Sequence, residues 1–184
     1  PQQRDKAVAD IDEMRAMLDA SLSFARDDTA EEKRTSVDLS SLLQSLCDDL
    51  ADAGSKVAYD GPARLAYWSQ PVAMRRAFAN LIGNALKYGG EAEVTAHDDA
   101  GGVTVEIADR GPGIPAEMRE QVFAPFFRLE GSRSRETGGT GLGLSVARGI
   151  VRRHGGDITL HDRDGGGLLA RVTLPAVAAS QAAE

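Results

Sequence analysis

The sequence predicts an α+β fold, a two-layer sandwich in which helices cover one face of a mixed sheet of about five strands. Apolar and polar residues alternate along several short segments, as they do in strands that bury one face. Along a few longer segments, apolar residues recur every three or four positions, as they do in amphipathic helices. Strands grouped in hairpins with only a few helices indicate a two-layer arrangement, with one sheet face covered and the other more exposed.

The composition describes a globular protein and excludes several function classes. At 184 residues, with 42% hydrophobic and 27% charged residues, the chain is long enough for one domain with a full core and a short extra element. Its net charge of -7 argues against non-specific binding to nucleic acid or to an anionic membrane. The single cysteine, Cys47, supports neither a disulfide nor a thiolate metal site. Without a signal peptide or a long apolar run, we expect a cytoplasmic domain, which could come from a membrane-anchored parent.

The first 27 residues predict one long helix. Apolar residues recur at three- and four-residue steps from Val8 to Ala25, with charged residues between them. Such a narrow stripe favours a coiled-coil or bundle helix that meets another helix, and packing onto the chain's own globular domain is the alternative. The charged segment 28–35 predicts a linker, and the tail 177–184 is predicted to be disordered.

From residue 36 onward, the pattern predicts strands and helices in alternation. The predicted strands are 36–39, 57–60, 64–68, 92–98, 103–109, 157–162 and 168–175, of which those near the start form a short hairpin. Ser40 or Ser41 is predicted to cap a helix that ends at Gly54, and Ser69 to cap a long helix with Pro71 in its first turn. A short helix is predicted near 116–122, and a longer one over 142–154.

The long helix carries the asparagine segment, NLIGNALKYG (residues 80–89). Asn80 and Asn84 are four residues apart, so both amides project from one side of the helix, and Lys87 and Tyr88 follow one turn later. Two oxygen donors, a cation and an aromatic ring on one surface suit a metal-bound nucleotide. The alternative is an ordinary amphipathic helix whose polar face meets water.

The first glycine segment, DRGPGIP (residues 109–115), follows a predicted strand directly. Asp109 therefore lies at the end of a strand, where its carboxylate can accept a hydrogen bond from the exocyclic amino group of adenine. Gly111 and Gly113 would let the ring approach the backbone. Taken alone the pattern is weak, because many surface turns share it.

The second glycine segment, GGTGLGL (residues 138–144), leads into a helix. The free N–H groups and the positive end of a helix dipole make an anion site that suits phosphates. A Walker loop is excluded because no lysine lies nearby, and the dinucleotide fingerprint is excluded because Val146 occupies a required glycine position. A flexible hinge is the alternative, although it would not explain why the glycines open a helix.

An aromatic and basic segment lies between the two glycine segments. Its aromatic residues are Phe123, Phe126 and Phe127, which we expect to anchor it, and its arginines are Arg128, Arg133 and Arg135. A loop that brings arginines over a phosphate tail would act as a lid. A disordered basic loop is the alternative.

Together these segments resemble the catalytic ATP-binding domain of a bacterial sensor histidine kinase, of the Bergerat ATP-fold superfamily. NLIGNALKYG resembles its N-box, DRGPGIP its first glycine box, VFAPFFR its F-box and GTGLGL its second glycine box. The run from AMRRAFANLIGNALKYG onward is most like the osmosensor EnvZ class. The resemblance implies a partial dimerisation and histidine-phosphotransfer helix over 1–27, the linker, and a catalytic domain over 36–176.

The resemblance also implies a site for ATP and Mg²⁺. Asn84 would supply the Mg²⁺ ligand, with Asn80 as a second or water-mediated contact, while Lys87 and Arg128 would support the phosphates. Asp109 would bind the adenine amino group. The other implied nucleotide contacts are Tyr88, Gly111, Gly113, Ile114, Phe123, Gly139, Thr140, Gly141, Leu142, Gly143 and Leu144.

By this resemblance, the γ-phosphoryl group passes to a histidine on a phosphotransfer hairpin and then to a response regulator. The full-length parent would be a homodimer anchored in the inner membrane. The superfamily's ATP hydrolases carry a glutamate where this chain has Asn80, so rapid hydrolysis is not expected. A hydrolase of the same superfamily and a non-catalytic, anti-sigma-like nucleotide-binding module are the alternatives.

The family's acceptor histidine has no counterpart here. His97 and His161 lie in predicted strands and His154 near a helix end, so we interpret all three as ordinary surface or packing residues. We therefore do not expect the chain to phosphorylate itself, and its own dimerisation is doubtful.

Overall fold

A computed structural model of the chain describes residues 32–99, 101–129 and 140–176. The elements in chain order are β1 (Thr35–Asp38), α1 (Leu39–Asp52), β2 (Lys56–Asp60), β3 (Ala66–Ser69), α2 (Pro71–Gly89), β4 (Glu91–Asp99), β5 (Gly102–Ala108), two 3₁₀ turns (Ala116–Met118 and Gln121–Phe123), α3 (Gly143–Arg153), β6 (Asp157–Asp162) and β7 (Leu168–Pro175). The predicted helix over 1–27, the first half of the linker, the tail, Gly139, Arg133 and Arg135 lie outside the described residues.

Five strands form a mixed sheet in the order β2-β4-β5-β7-β6. β2 runs parallel to β4, and the other three pairs are antiparallel. β1 and β3 form a separate antiparallel ribbon. The predicted N-terminal hairpin is therefore instead a pairing of strands that α1 and β2 separate in the chain, which a local pattern does not reveal.

The helices cover one face of the five-stranded sheet, as predicted. Val94, Val105 and Val172 alternate with more exposed neighbours and point into a core that also contains Phe78 and Ile82. Burial of each such side chain contributes roughly 1.5–3 kcal/mol. None of the helices in the described part of the chain has the length and apolar character needed to cross a bilayer.

The opposite face of the sheet is polar and carries ion pairs. Arg171 of β7 pairs with Glu106 of the neighbouring strand β5 at 2.7 Å, and Arg163, which follows β6, reaches Glu93 of β4 at 2.7 Å. This face can therefore be exposed to water, which explains why apolar and polar residues alternate along the strands.

The predicted cap of α1 was wrong by two or three residues. Asp38 is the N-cap, and its Oδ1 accepts from the N–H groups of Ser40 (3.2 Å) and Leu65 (2.9 Å). The Ser41 hydroxyl donates to the other carboxylate oxygen instead of capping the helix. A carboxylate at this position also complements the helix dipole.

The predicted cap of α2 was wrong as well. Ser69 is the buried last residue of β3, and Gln70, the N-cap, makes no side-chain cap bond. The two oxygens of Glu32 accept from the N–H groups of Val72 (2.7 Å) and Ala73 (3.0 Å). A residue of the predicted linker therefore caps the helix that carries the asparagine segment.

Candidate nucleotide site

Helix α2 contains the asparagine segment and contacts both glycine segments, so the three predicted segments lie together. Toward its middle, Asn80 and Asn84 face Gly143 at the start of α3. A Cβ placed on Gly143 would lie 3.8 Å from Asn80 Cγ and 3.8 Å from Asn84 Nδ2. The asparagine segment and the second glycine segment are thus in van der Waals reach of each other.

The C-terminal end of α2 contacts the first glycine segment. A Cβ on Gly89 would lie 2.6 Å from Asp109 Cβ, and one on Gly111 would lie 2.8 Å from the carbonyl oxygen of Tyr88. Both approaches are closer than a side chain tolerates, so glycine is required at each position. Asp109 therefore contacts α2 at Gly89, five residues after Asn84.

Asp109 lies directly after β5 and is only 5% exposed. Its Oδ1 accepts from the N–H groups of Gly111 (2.7 Å) and Leu168 (3.4 Å). Burial raises the pKa of Asp109, while these hydrogen bonds and the nearby Arg163 cation oppose that shift. A buried carboxylate with one oxygen fixed by backbone donors is well placed to accept a hydrogen bond from a ligand.

The β6–β7 turn contributes to this end of the site, and sequence reasoning missed it. The Asp109 N–H donates to the Leu168 carbonyl at 2.9 Å, and a Cβ on Gly167 would overlap the Asp109 carbonyl oxygen. Gly167 also has a positive φ of 113°. The run of glycines before Leu168 was the available signal, but it reads only as a turn until β5 and β7 are known to pair.

Lys87 and Tyr88 lie between the two ends. The Lys87 ammonium is 4.9 Å from the centre of the Tyr88 ring, a cation–π contact, and Tyr88 is 39% exposed. Their predicted roles beside the phosphates and the adenine remain predictions.

The aromatic segment differs from the prediction in one residue. Phe123 is buried and Phe127 packs against the core, but Phe126 is 57% exposed and therefore does not anchor the segment. Phe126 has a positive φ of 64°, which is strained for a non-glycine residue. Its N–H donates to the Gly141 carbonyl at 3.0 Å, so the aromatic segment and the second glycine segment are hydrogen-bonded to each other.

The start of α3 has the character of an anion site. Leu142 is its N-cap, no side chain caps it, and its first turn contains no acidic residue. Gly141, with φ of 71°, turns the chain into this helix. Uncapped N–H groups at the positive end of a helix attract phosphates. The remaining predicted contacts are partly buried: Gly113, Ile114, Arg128, Thr140 and Leu144. A Cβ on Gly113 would lie 3.4 Å from the Gly167 carbonyl oxygen.

In the described part of the chain, the predicted ligands for a divalent cation are the side-chain amides of Asn80 and Asn84. No group of three or more His, Cys, Asp or Glu side chains that could hold a metal occurs within residues 32–99, 101–129 and 140–176. Amide oxygens such as those of Asn80 and Asn84 are hard donors, and Mg²⁺ takes few protein ligands where phosphates and water complete its shell.

A cavity of about 410 Å³ lies at the other end of β5. It is lined by residues that include Trp68, Asp98 and Gly102, and by none of the predicted site residues. The predicted site residues lie along α2 instead, so we assign the candidate site there.

Three comparisons with known proteins identify the family and the fold. The family model described as histidine kinase-, DNA gyrase B-, and HSP90-like ATPase matches residues 69–178. The sensor histidine kinase GtrS of Pseudomonas aeruginosa is 38% identical over 94% of this chain, which spans 35% of that protein.

Two solved structures share the fold. The ATP-binding domain of PrrB from Mycobacterium tuberculosis superposes with a TM-score of 0.66 at 27% identity, covering 79% of this chain and 99% of that one. The histidine kinase domain of the Escherichia coli osmosensor EnvZ superposes with a TM-score of 0.62 at 30% identity, covering 81% of this chain and 92% of that one.

Proposed function

The chain belongs to the histidine kinase-, DNA gyrase B-, and HSP90-like ATPase family, and from that premise we propose that it transfers the γ-phosphoryl group of Mg·ATP to a histidine of a phosphotransfer hairpin. It is homologous to the catalytic part of sensor histidine kinases. The hairpin histidine lies outside these 184 residues, and a response regulator would receive the group next. The proposed place of action is the cytoplasmic side of a membrane-anchored parent.

The contact of α2 with both glycine segments carries this proposal. It defines two ends of one site. The adenine end comprises Asp109 and the glycines that pack on it, and the phosphate end comprises Asn80, Asn84 and Gly143. Adenine would meet the Asp109 carboxylate, and the triphosphate would run toward the start of α3.

The proposed metal site is the phosphate end. Asn84 would hold Mg²⁺, with Asn80 as a second or water-mediated ligand, and Lys87 would add a positive charge beside the phosphates. When bound, the ion neutralises charge on the transferring phosphoryl group. The chain's own groups would hold the nucleotide so that the γ-phosphoryl group faces the incoming imidazole.

A kinase is favoured over a hydrolase by the identity of residue 80. The amide of Asn80 cannot take a proton from water, whereas the hydrolases of the superfamily carry a glutamate there.

Of the three described histidines, His154 is buried, and burial lowers its pKa, which fits a packing role.

The test combines the 184-residue chain, labelled Mg·ATP and a purified hairpin that carries an acceptor histidine. We expect label on the hairpin only when the chain is present, and no label with Asn84→Ala. Steady phosphate release without the hairpin would favour the hydrolase. Nucleotide binding without transfer would favour a non-catalytic module.

A further inference from the structure

Arg148 is a buried charged residue that the nucleotide site does not use. It lies in the middle of α3 and is only 8% exposed. A guanidinium is not buried without partners, because the lost hydration must be replaced. The contacts of Arg148 therefore show what it holds in place.

The guanidinium joins three elements. Nε and Nη2 donate to the two oxygens of Asp157, the first residue of β6, at 2.7 and 3.1 Å. Nη1 donates to Glu120 at 2.6 Å, and the guanidinium carbon lies 4.2 Å from the centre of the Phe123 ring. A planar group with a fixed fork of donors sets the relative positions of all three partners. It also holds the pKa of Asp157 well below its usual range, so the pair stays ionised near neutral pH.

The turn that Arg148 holds leads into the strained residue Phe126. The Phe126 N–H bonds to the Gly141 carbonyl, and a Cβ on Gly141 would lie 2.9 Å from the Phe126 carbonyl carbon. A residue with positive φ keeps that conformation only when its surroundings hold it. Phe123, which lies against the guanidinium, is three residues before Phe126, and the Phe127 N–H closes the intervening turn by donating to the Ala124 carbonyl at 3.2 Å.

We propose that Arg148 is a positioning residue for the phosphate end of the site. Through Phe123 and Glu120 it keeps Phe126 bonded to Gly141, and so fixes the chain that leads into the N–H groups at the start of α3. This inference rests on the proposed function for its nucleotide readout. Asp109 lies at the C-terminal end of α2 and, within the described residues, makes no hydrogen bond to Glu120, Phe123 or Asp157, so Arg148 does not position the adenine.

The first test compares ATP with adenosine, which lacks phosphates, by calorimetry. For Arg148→Gln we expect Mg·ATP affinity to fall roughly tenfold and adenosine affinity to change by less than about twofold. Arg148→Lys should recover part of the loss, since it keeps a cation over Phe123. The matched control is Arg152→Gln, because Arg152 bonds the same two Asp157 oxygens at 3.1 Å but is 54% exposed; it should leave both affinities unchanged. Equal losses for both ligands, or the same loss in the control, would overturn the inference.

The second test needs no nucleotide. Amide hydrogen exchange at Phe126 should accelerate several-fold in Arg148→Gln and not in Arg152→Gln. Unchanged exchange at Phe126 would overturn the inference even if the nucleotide affinity fell. If the unaltered chain binds no ATP, the proposed function fails, and exchange still decides whether Arg148 holds Phe126. Should Arg148→Gln not fold, Glu120→Ala removes only the bond between Arg148 and Glu120 and should show a smaller acceleration.

Discussion

The adenine end and the phosphate end of the site use glycine for different reasons. Around Asp109, the protein's own packing demands it, because a Cβ on Gly89 would lie 2.6 Å from Asp109 Cβ and one on Gly167 would overlap its carbonyl oxygen. At the phosphate end, a Cβ on Gly143 would make ordinary contacts of 3.8 Å with both asparagines. The fold therefore requires glycine around Asp109, whereas at position 143 the packing leaves room for a methyl group. A substitution around Asp109 should therefore lower the stability of the fold, whereas a substitution at Gly143 should lower the affinity for the nucleotide.

The largest expected effect is on stability, in Gly167→Ala. The new Cβ would overlap the Asp109 carbonyl at a φ of 113°, so we expect the free energy of unfolding to fall by about 3 kcal/mol or more. Chemical denaturation measures it. The control is Gly165→Ala, where φ is 82° but no atom lies within 4 Å, and the expected loss is about 1–2 kcal/mol.

The same substitution at the phosphate end sharpens the contrast. Gly143→Ala should change the free energy of unfolding by less than about 0.5 kcal/mol, since its Cβ has room. Mg·ATP affinity should fall, because the methyl group faces the space between the two asparagines. A loss of stability like that of Gly167→Ala would remove the distinction between the two ends.

Asp109→Asn should lower affinity without lowering stability. The lost charge-assisted hydrogen bond should weaken ATP binding at least tenfold, on the order of 1.5–3 kcal/mol. Burial raises the pKa of Asp109, so its contribution to stability is present below the unfolded pKa and lost as pH rises through the folded one. Asparagine removes that loss, and at pH 7 the variant should unfold at an equal or higher denaturant concentration. An unchanged calorimetric affinity would refute the assignment of Asp109.

Asn84→Ala should affect only the metal-dependent part of binding. We expect ATP affinity with Mg²⁺ to fall roughly tenfold, about 1.4 kcal/mol, and affinity in EDTA to stay the same. Stability should not fall, because alanine is the better helix former. Equal losses with and without Mg²⁺ would show that Asn84 contacts the nucleotide or shapes the helix instead.

The smallest effect is expected from Glu32→Gln at the start of α2. Removing the charge that accepts from Val72 and Ala73 should lower the free energy of unfolding by about 0.3–1 kcal/mol, and less at high salt. Lys33→Gln is the neighbouring control and should not show this loss. ATP affinity should remain unchanged, since Asn84 lies three turns further along the helix.

The strands were predicted well because a strand that buries one face alternates apolar and polar residues along its sequence. Both β6 and β7 begin and end at the predicted residues, 157–162 and 168–175. Their side chains alternate between the core and the open face, and that alternation needs no knowledge of the partners.

The cap of α2 was predicted badly because its partner is remote in sequence. Ser69 was the local candidate for α2, but Glu32, separated from Val72 by 40 residues, reaches its N–H groups. The strain at Phe126 is likewise set by its bond to Gly141, across a segment of the chain that no local pattern describes.

The candidate site could be predicted from the sequence where a motif is local, and not where the pairing of strands assembles it. The asparagine and glycine segments could be identified from their own residues, but Gly167 and Leu168 reach Asp109 only through the pairing of β5 with β7. Arg148 left a signal that was missed: it lies three residues before Val151, on the apolar face of α3.

We expect one ligand to span both ends of the site. The chain can be titrated with the Mg²⁺ complex of a non-hydrolysable ATP analogue and followed by nuclear magnetic resonance. The signals of Asn84, Asp109 and Gly143 should then shift together, with one common dissociation constant. Shifts confined to one end, or different dissociation constants for Asp109 and Asn84, would contradict it.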